Sequence, residues 1–310
     1  MSTQRRSTCA LLLCLSLASA GCNLTSLLIK ATVDGTNEAT EEIGPRFADP
    51  EVVGPVLRDS IVTTEGYLYY VDDYEPVLLS YITARIGYAM LWMSEEAGEL
   101  EAAGKYEEAE RVNARADLLY RQALIQTRRM LWLRDDGFDA AQSGGLKTWS
   151  KWVDRHFYTE DDAEVLLMAG AAYFLGALAS DEGLAGAVDI PLARYMVERS
   201  VQIDPELAGS TGLMIIGIYE CTMPELMGGK PKLGMALLEQ AAKQTERGSH
   251  GILVNMAERC AVALQDRKLF HALLMEVIEA EDVDEYRMFN KIARHRATRL
   301  LGQMDELFYD

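Results

Sequence analysis

Residues 251–278 read GILVNMAERCAVALQDRKLFHALLMEVI. Apolar side chains recur along Gly251–Leu264, and again along Asp266–Ile278, at the spacing of one helix face. The two runs are joined by a very tight turn at Gln265-Asp266. The stretch therefore predicts two antiparallel helices. A single hairpin cannot bury both of its faces, so it needs neighbours stacked against it.

The same reading extends outward. Asp204-Pro205 opens an earlier pair, with one helix over Glu206–Tyr219 and a second over Leu233–Gln244. Gly228-Gly229-Lys230-Pro231 connects them. Before that, Glu160-Asp161-Asp162 starts a helix that runs through Leu178, its acids suited to the positive end of the helix dipole. Asp189 reads as the N-cap of its partner, with Pro191 just inside and an end near Ile203. Pairs thus begin near 160, 205 and 250, a period of about 45 residues, within the range of helical-hairpin repeats. A last helix is expected over Val283–Leu307.

Upstream, Val77–Met93 is apolar almost all round and is broken by Arg85, which favours a buried core helix over a membrane span. Ala103-Gly104-Lys105 turns the chain into a helix over Glu107–Leu133. Gly-Lys-Tyr-Glu-Glu-Ala-Glu at 104–110 and Ile-Asp-Pro-Glu-Leu-Ala at 203–208 resemble the turn and end signatures of tetratricopeptide repeats. Asp34-Gly35-Thr36-Asn37 reads as a turn, and Asp49-Pro50-Glu51 starts a short helix near 50–65. No run of alternating residues makes a convincing strand. The expected fold is all-α: stacked tetratricopeptide-like helical hairpins over 75–310, preceded by a tether and leading helix over 22–74.

The first 21 residues read as a secretory signal. Arg5 and Arg6 precede the apolar run Cys9–Ala18, and Ala18-Ser19-Ala20-Gly21 are all small. The run is far short of the ~20 residues that cross a bilayer. Cys22 follows directly, and Ala20-Gly21-Cys22 resembles the lipobox of bacterial lipoproteins, although Ser19 stands where an aliphatic residue is commoner. Cys22 is therefore the expected lipidation site. Asn23 after it points to the outer membrane rather than the inner by resemblance to enterobacterial sorting. The alternative is ordinary cleavage near Ala20 with Cys22 unmodified.

Nearly half the residues are apolar, enough for a sizeable core. The leader holds two of the 30 bases and none of the 48 acids, so 28 bases face 48 acids in the mature chain, a net charge of −20. Such a chain is repelled by nucleic acid, which is excluded as a partner, and by anionic head groups. Beyond the leader and Cys22 only Cys221 and Cys260 remain, either as two buried thiols or as one disulfide. Without a CxxC there is no zinc cluster and no thioredoxin-type motif.

Chemistry is hard to find. His156, His250, His271 and His295 form no HExxH and no i, i+4 pair. His295 stands among Arg294, Arg296 and Arg299. There is no GxSxG, and Gly228-Gly229-Lys230 is followed by Pro231, which fails the P-loop pattern. No catalytic residue, metal site or cofactor is expected. Trp132, Trp149 and Trp152, with Phe157 and Tyr158, cluster around what reads as a loop. Tyr88, Trp92, Tyr173, Phe174 and Tyr219 fall on apolar helix faces, and Met223, Leu226 and Met227 in a loop. Ordinary helix packing accounts for this set. The sharper alternative is an apolar groove or pore lined by Tyr88, Trp92, Tyr173, Tyr219, Met223 and Met227.

Three stretches resemble the T-component family of tripartite ATP-independent periplasmic (TRAP) transporters. One is Tyr173-Phe174-Leu175-Gly176 with Asp189-Ile190-Pro191. Another is Gly217-Ile218-Tyr219 running on to Pro224-Glu225-Leu226-Met227-Gly228-Gly229-Lys230-Pro231. The most specific is Gln265-Asp266-Arg267-Lys268-Leu269-Phe270, continuing through Glu276-Val277 to Ala293, Arg296, Ala297, Leu300-Leu301 and Asp305-Glu306-Leu307-Phe308. Cys221-Thr222-Met223 departs from the family pattern. The resemblance covers roughly 75–308. It implies a periplasmic, lipid-anchored accessory subunit that is not an enzyme and docks the solute-binding P-component. It further implies a hydrophobic small molecule in a helical groove or pore, and assembly into a homo-oligomer such as a trimer. The competing expectation is a structural scaffold lipoprotein for envelope assembly, with a closed core and no small-molecule ligand.

Overall fold

The computed structural model describes residues 24–38, 49–179 and 188–308; the leader and Cys22 lie outside the described residues. Among the described residues every regular element is helical. Helix α1 covers 24–38. It is followed by α2 (Pro50–Leu68) and α3 (Glu75–Tyr88). A π turn at Ala89–Met93 leads into α4 (Ser94–Ala102), and then come α5 (Tyr106–Arg134), α6 (Phe138–Ser143) and α7 (Leu146–His156). Next are α8 (Glu160–Leu178), α9 (Ile190–Ile203), α10 (Leu207–Thr222) and α11 (Pro231–Gln244). Helix α12 (His250–Asn255) continues through a π segment, Met256–Ala261, and α13 (Arg267–Glu279), α14 (Arg287–Gly302) and α15 (Met304–Leu307) complete the chain.

Three helix starts, those of α2, α8 and α13, are capped by short polar side chains placed at orphan backbone N–H groups. Asp49 accepts from Glu51 N at 3.0 Å, and Asp266 accepts from Leu269 N at 3.0 Å. At α8, Asp162 accepts from Thr159 N and Thr159 Oγ1, and it also takes a 2.8 Å bond from Arg134. Burial pushes the Asp162 carboxyl up, but these donors outweigh it and hold the group below its ordinary value. Gln265 carries a φ of 54°, so the tight turn between α12 and α13 closes through one left-handed residue.

Three expectations change. Asp189 stands at the N-cap position of α9, but its carboxylate bonds no N–H of that helix and takes a 2.7 Å bond from Arg128 instead. Asp34–Asn37 is no turn but the end of α1, which docks on α2 and α3: Val33 is buried and Tyr74 Oη donates to Asp34 at 2.8 Å. The stretch around Trp149 and Trp152 is not a loop. It forms α6 and α7, whose rings build the main core. Trp149 stacks on Trp152 at 5.4 Å and meets Tyr173 at 6.0 Å, and its Nε1 donates to Leu192 O.

Helices α3, α5, α8 and α9 pack in succession around this core, and α10 to α14 enclose a second one. Helices α10 and α11 cross very closely. A methyl group on Gly217 would stand 2.7 Å from Leu238 Cγ and 3.0 Å from Gly234 O. At the far end of the stack α14 turns back onto α2 and α4. Arg299 donates to Glu95 at 2.9 Å, and Arg296 pairs with Glu95 at 3.4 Å and with Glu258 at 2.5 Å. Residues some 200 apart in sequence thus close the array on itself.

Candidate functional site

Buried charge and aromatic surface meet where α8, α9 and α10 come together. Helical spacing puts Tyr219 and Glu220 near the end of α10, Arg194 in the first turns of α9 and Phe174 on α8. Tyr219 meets Phe174 edge to face at 5.7 Å, and the Arg194 guanidinium lies 5.3 Å from the Tyr219 ring centre. Arg194 Nε donates to Glu198 at 2.7 Å, and Arg194 Nη1 lies 2.6 Å from Glu220 Oε1. Glu220 is fully buried, and its contact is an ion pair without hydrogen-bond alignment. Burial alone would lower the Arg194 pKa, but the two carboxylates outweigh it and raise it, so the guanidinium stays charged.

Beyond Glu220 the chain enters a braced loop. Cys221 and Cys260 are joined as a disulfide, which ties the end of α10 to the π segment after α12. Lys230 N donates to Glu220 O, Gly229 N to Pro224 O and Gly228 N to Glu225 O. Gly229 packs so tightly under Met223 O that any side chain there would collide with it. Within this frame Glu225–Met227 form one 3-10 turn, and Leu226 at its centre is fully exposed.

The six residues expected to line a groove divide among several places. Tyr88 and Trp92 stack on each other at 6.4 Å, and Trp92 Nε1 donates to Pro50 O. They sit at the α2 side of the first hairpin. Tyr173 is fully buried in the main core, with its hydroxyl unpartnered and its pKa raised, chiefly by desolvation. Tyr219 belongs to the α8–α9–α10 junction, Met223 is half-buried at the start of the braced loop, and Met227 lies in the 3-10 turn. None of the ring contacts joins these groups. The crevice beside Tyr219, lined by Phe174, Arg194, Val197, Ile215 and Ile216, has a volume of about 10 Å³, room for one water. Arg194, Glu198 and Glu220 were not singled out in the sequence. The only signal was their i, i+4 spacing on α9 and one acid inside an apolar helix.

His156 stands 3.6 Å from Asp135. Its Nδ1 lies 2.8 Å from Trp152 O, and its Nε2 only approaches the Asp135 carboxylate without a hydrogen bond. Among the described residues no cluster of His, Cys, Asp and Glu could hold a metal ion. Nor is any helix among them long and apolar enough to cross a membrane.

Comparison with known families decides the identity of this architecture. The family model for the TRAP transporter T-component matches residues 47–308. The chain belongs to that family. No curated protein matches it. The T-component match reaches back across α2, beyond the stretch from residue 75 on which the resemblance in the sequence rests. It makes this chain a transport accessory subunit from a family that is not one of enzymes. In the T-component the braced loop at 223–230 and the closing helix α14 both fall inside the matched span.

Proposed function

We propose that this T-component is a lipid-anchored periplasmic subunit that docks the solute-binding P-component of its transport system, held to the outer membrane through Cys22. Family membership over 47–308 carries the reading. The docking element we assign is the loop 223–230. It presents a fully exposed leucine from a frame fixed by a disulfide and three backbone hydrogen bonds, so little ordering entropy is lost when a partner covers it. The charge of −20 supplies long-range attraction to a basic face on the partner. Leu226→Asp changes a side chain that touches nothing in the fold. It is expected to leave the melting temperature unchanged and to weaken capture of the P-component at least tenfold. Undiminished capture would rule out the loop as the docking element.

A second reading is a scaffold without small-molecule ligand; at Tyr219 the crevice, about 10 Å³, is too small to admit one as it stands. An apolar ligand would need Phe174 and Tyr219 to part. Mass spectrometry of small molecules extracted from the purified protein separates the two: a stoichiometric lipid-like ligand supports an opening groove, and none supports the scaffold. Trimeric assembly is a further expectation, tested by light scattering in detergent.

A further inference from the structure

Helix α1 carries two apolar faces. Ile29 and Val33 turn into the main core. Leu24, Leu27 and Leu28, at i, i+3 and i+4, share a different face and are exposed to 57%, 64% and 58%. Among the described residues none covers them, and α1 itself is firmly placed. Ser26 Oγ donates to Tyr70 O, Tyr74 Oη donates to Asp34, Ser80 Oγ donates to Asn37, and Lys30 Nζ lies 4.6 Å over the Tyr74 ring. The loop against the first turn of α1 exposes Tyr69 and Tyr70 as well.

We infer that this end of the molecule is a seat on the lipid bilayer, with Leu24, Leu27 and Leu28 entering the interfacial region. The inference rests on the reading that Cys22 is acylated. Two residues of chain span at most about 7 Å, so acyl chains on Cys22 hold Leu24 at the membrane surface whatever path the chain takes. A helix pinned there with one bare apolar face buries that face in the head-group boundary. Tyrosine beside it suits the same zone. The turns that carry the leucines, Leu24–Val33, contain Lys30 and no acid; Asp34 lies at the next turn and Asp72 and Asp73 beyond Tyr70. The seat would fix the orientation of the body relative to the bilayer, which a flexible lipid tether alone does not.

The test uses the full chain processed in a bacterial host, with Leu27→Cys carrying a small environment-sensitive fluorophore. Intact mass establishes whether Cys22 is acylated. The protein is then reconstituted in phosphatidylethanolamine–phosphatidylglycerol vesicles. Quenching is measured with spin-labelled lipid and with iodide, and compared with the unacylated Cys22→Ser chain in solution. The seat predicts strong quenching by the lipid probe and at least fivefold protection from iodide. An acylated protein whose label remains as open to iodide as in solution overturns the seat and leaves the anchor standing. A label shielded from both probes also overturns it, because a second copy or another protein then covers the leucines. An unacylated Cys22 removes the anchor, and the seat with it.

Discussion

Arg194 is a residue whose loss should cost the body of the protein heavily. It is the charge partner of a fully buried Glu220, and removing it strands that carboxylate away from water. Arg194→Met is expected to destabilise by about 3–5 kcal/mol, as for other broken buried pairs. Adding Glu220→Gln should recover a large part of this, since the stranded charge disappears; denaturant unfolding measures both. His250 tests a different term. It is buried, and desolvation first and Arg294 second push its pKa below the ordinary 6.5, against the opposing pull of Asp282 and Glu276. The unfolded chain therefore binds more protons than the native one as pH falls below 6.5, and stability must fall with it. The contribution is complete above pH 6.5 and is lost as pH drops towards the depressed value. Glu276, held low mainly by its bond from Arg247, adds a separate loss only at more acid pH, below the ordinary carboxylate range. Unfolding curves at pH 7.5 and 5.5 should show a decline in the natural protein that is reduced in His250→Gln.

At the level of elements, the crossing of α10 on α11 depends on glycine at both contact points. Gly217→Ala forces a methyl group against Leu238 and the backbone of Gly234, and is expected to cost about 1–3 kcal/mol by overpacking. Gly66→Ala in α2 meets nothing within 4 Å, so helix propensity alone should stabilise it, by about 0.5–1 kcal/mol. Thermal melts of the two variants should move in opposite directions. The disulfide closes a separation of 39 residues, and replacing Cys221 and Cys260 together by serine should cost about 4 kcal/mol by the chain-entropy account. Much of this level was legible beforehand. Asp266 and the two-residue turn at 265–266 marked the α12–α13 hairpin, and Glu160-Asp161-Asp162 marked the start of α8, though not the Thr159 cap in front of them. Helices α6 and α7 were not legible, because six and eleven residues separated by Gly144-Gly145 are too short to show a period. Helix α1 was missed for another reason: its leucines and its core residues lie on different faces, which blurs any single stripe.

On the scale of the whole molecule, contacts between sequence-distant residues decide what the helices become. The ion pairs of Arg296 and Arg299 with Glu95 close the stack, and nothing in the local sequence of any of the three announces them. The same holds for the meeting of Arg194 with Glu220 and for the pairing of the two cysteines. Glu95→Gln should loosen the closure without unfolding the body. Hydrogen exchange is expected to quicken in α14 and the facing turns of α4, with α10 and α11 unchanged. The resemblance of short segments nonetheless carried the family correctly, and the candidate groove residues, chosen for chemistry and not for position, came out in separate places. The most direct test of the account is capture of the solute-binding component by the acylated full chain at low ionic strength, where attraction to a charge of −20 is strongest. The account predicts a saturable complex that weakens as salt is raised. Absence of any complex at low salt, with both proteins folded, would contradict it.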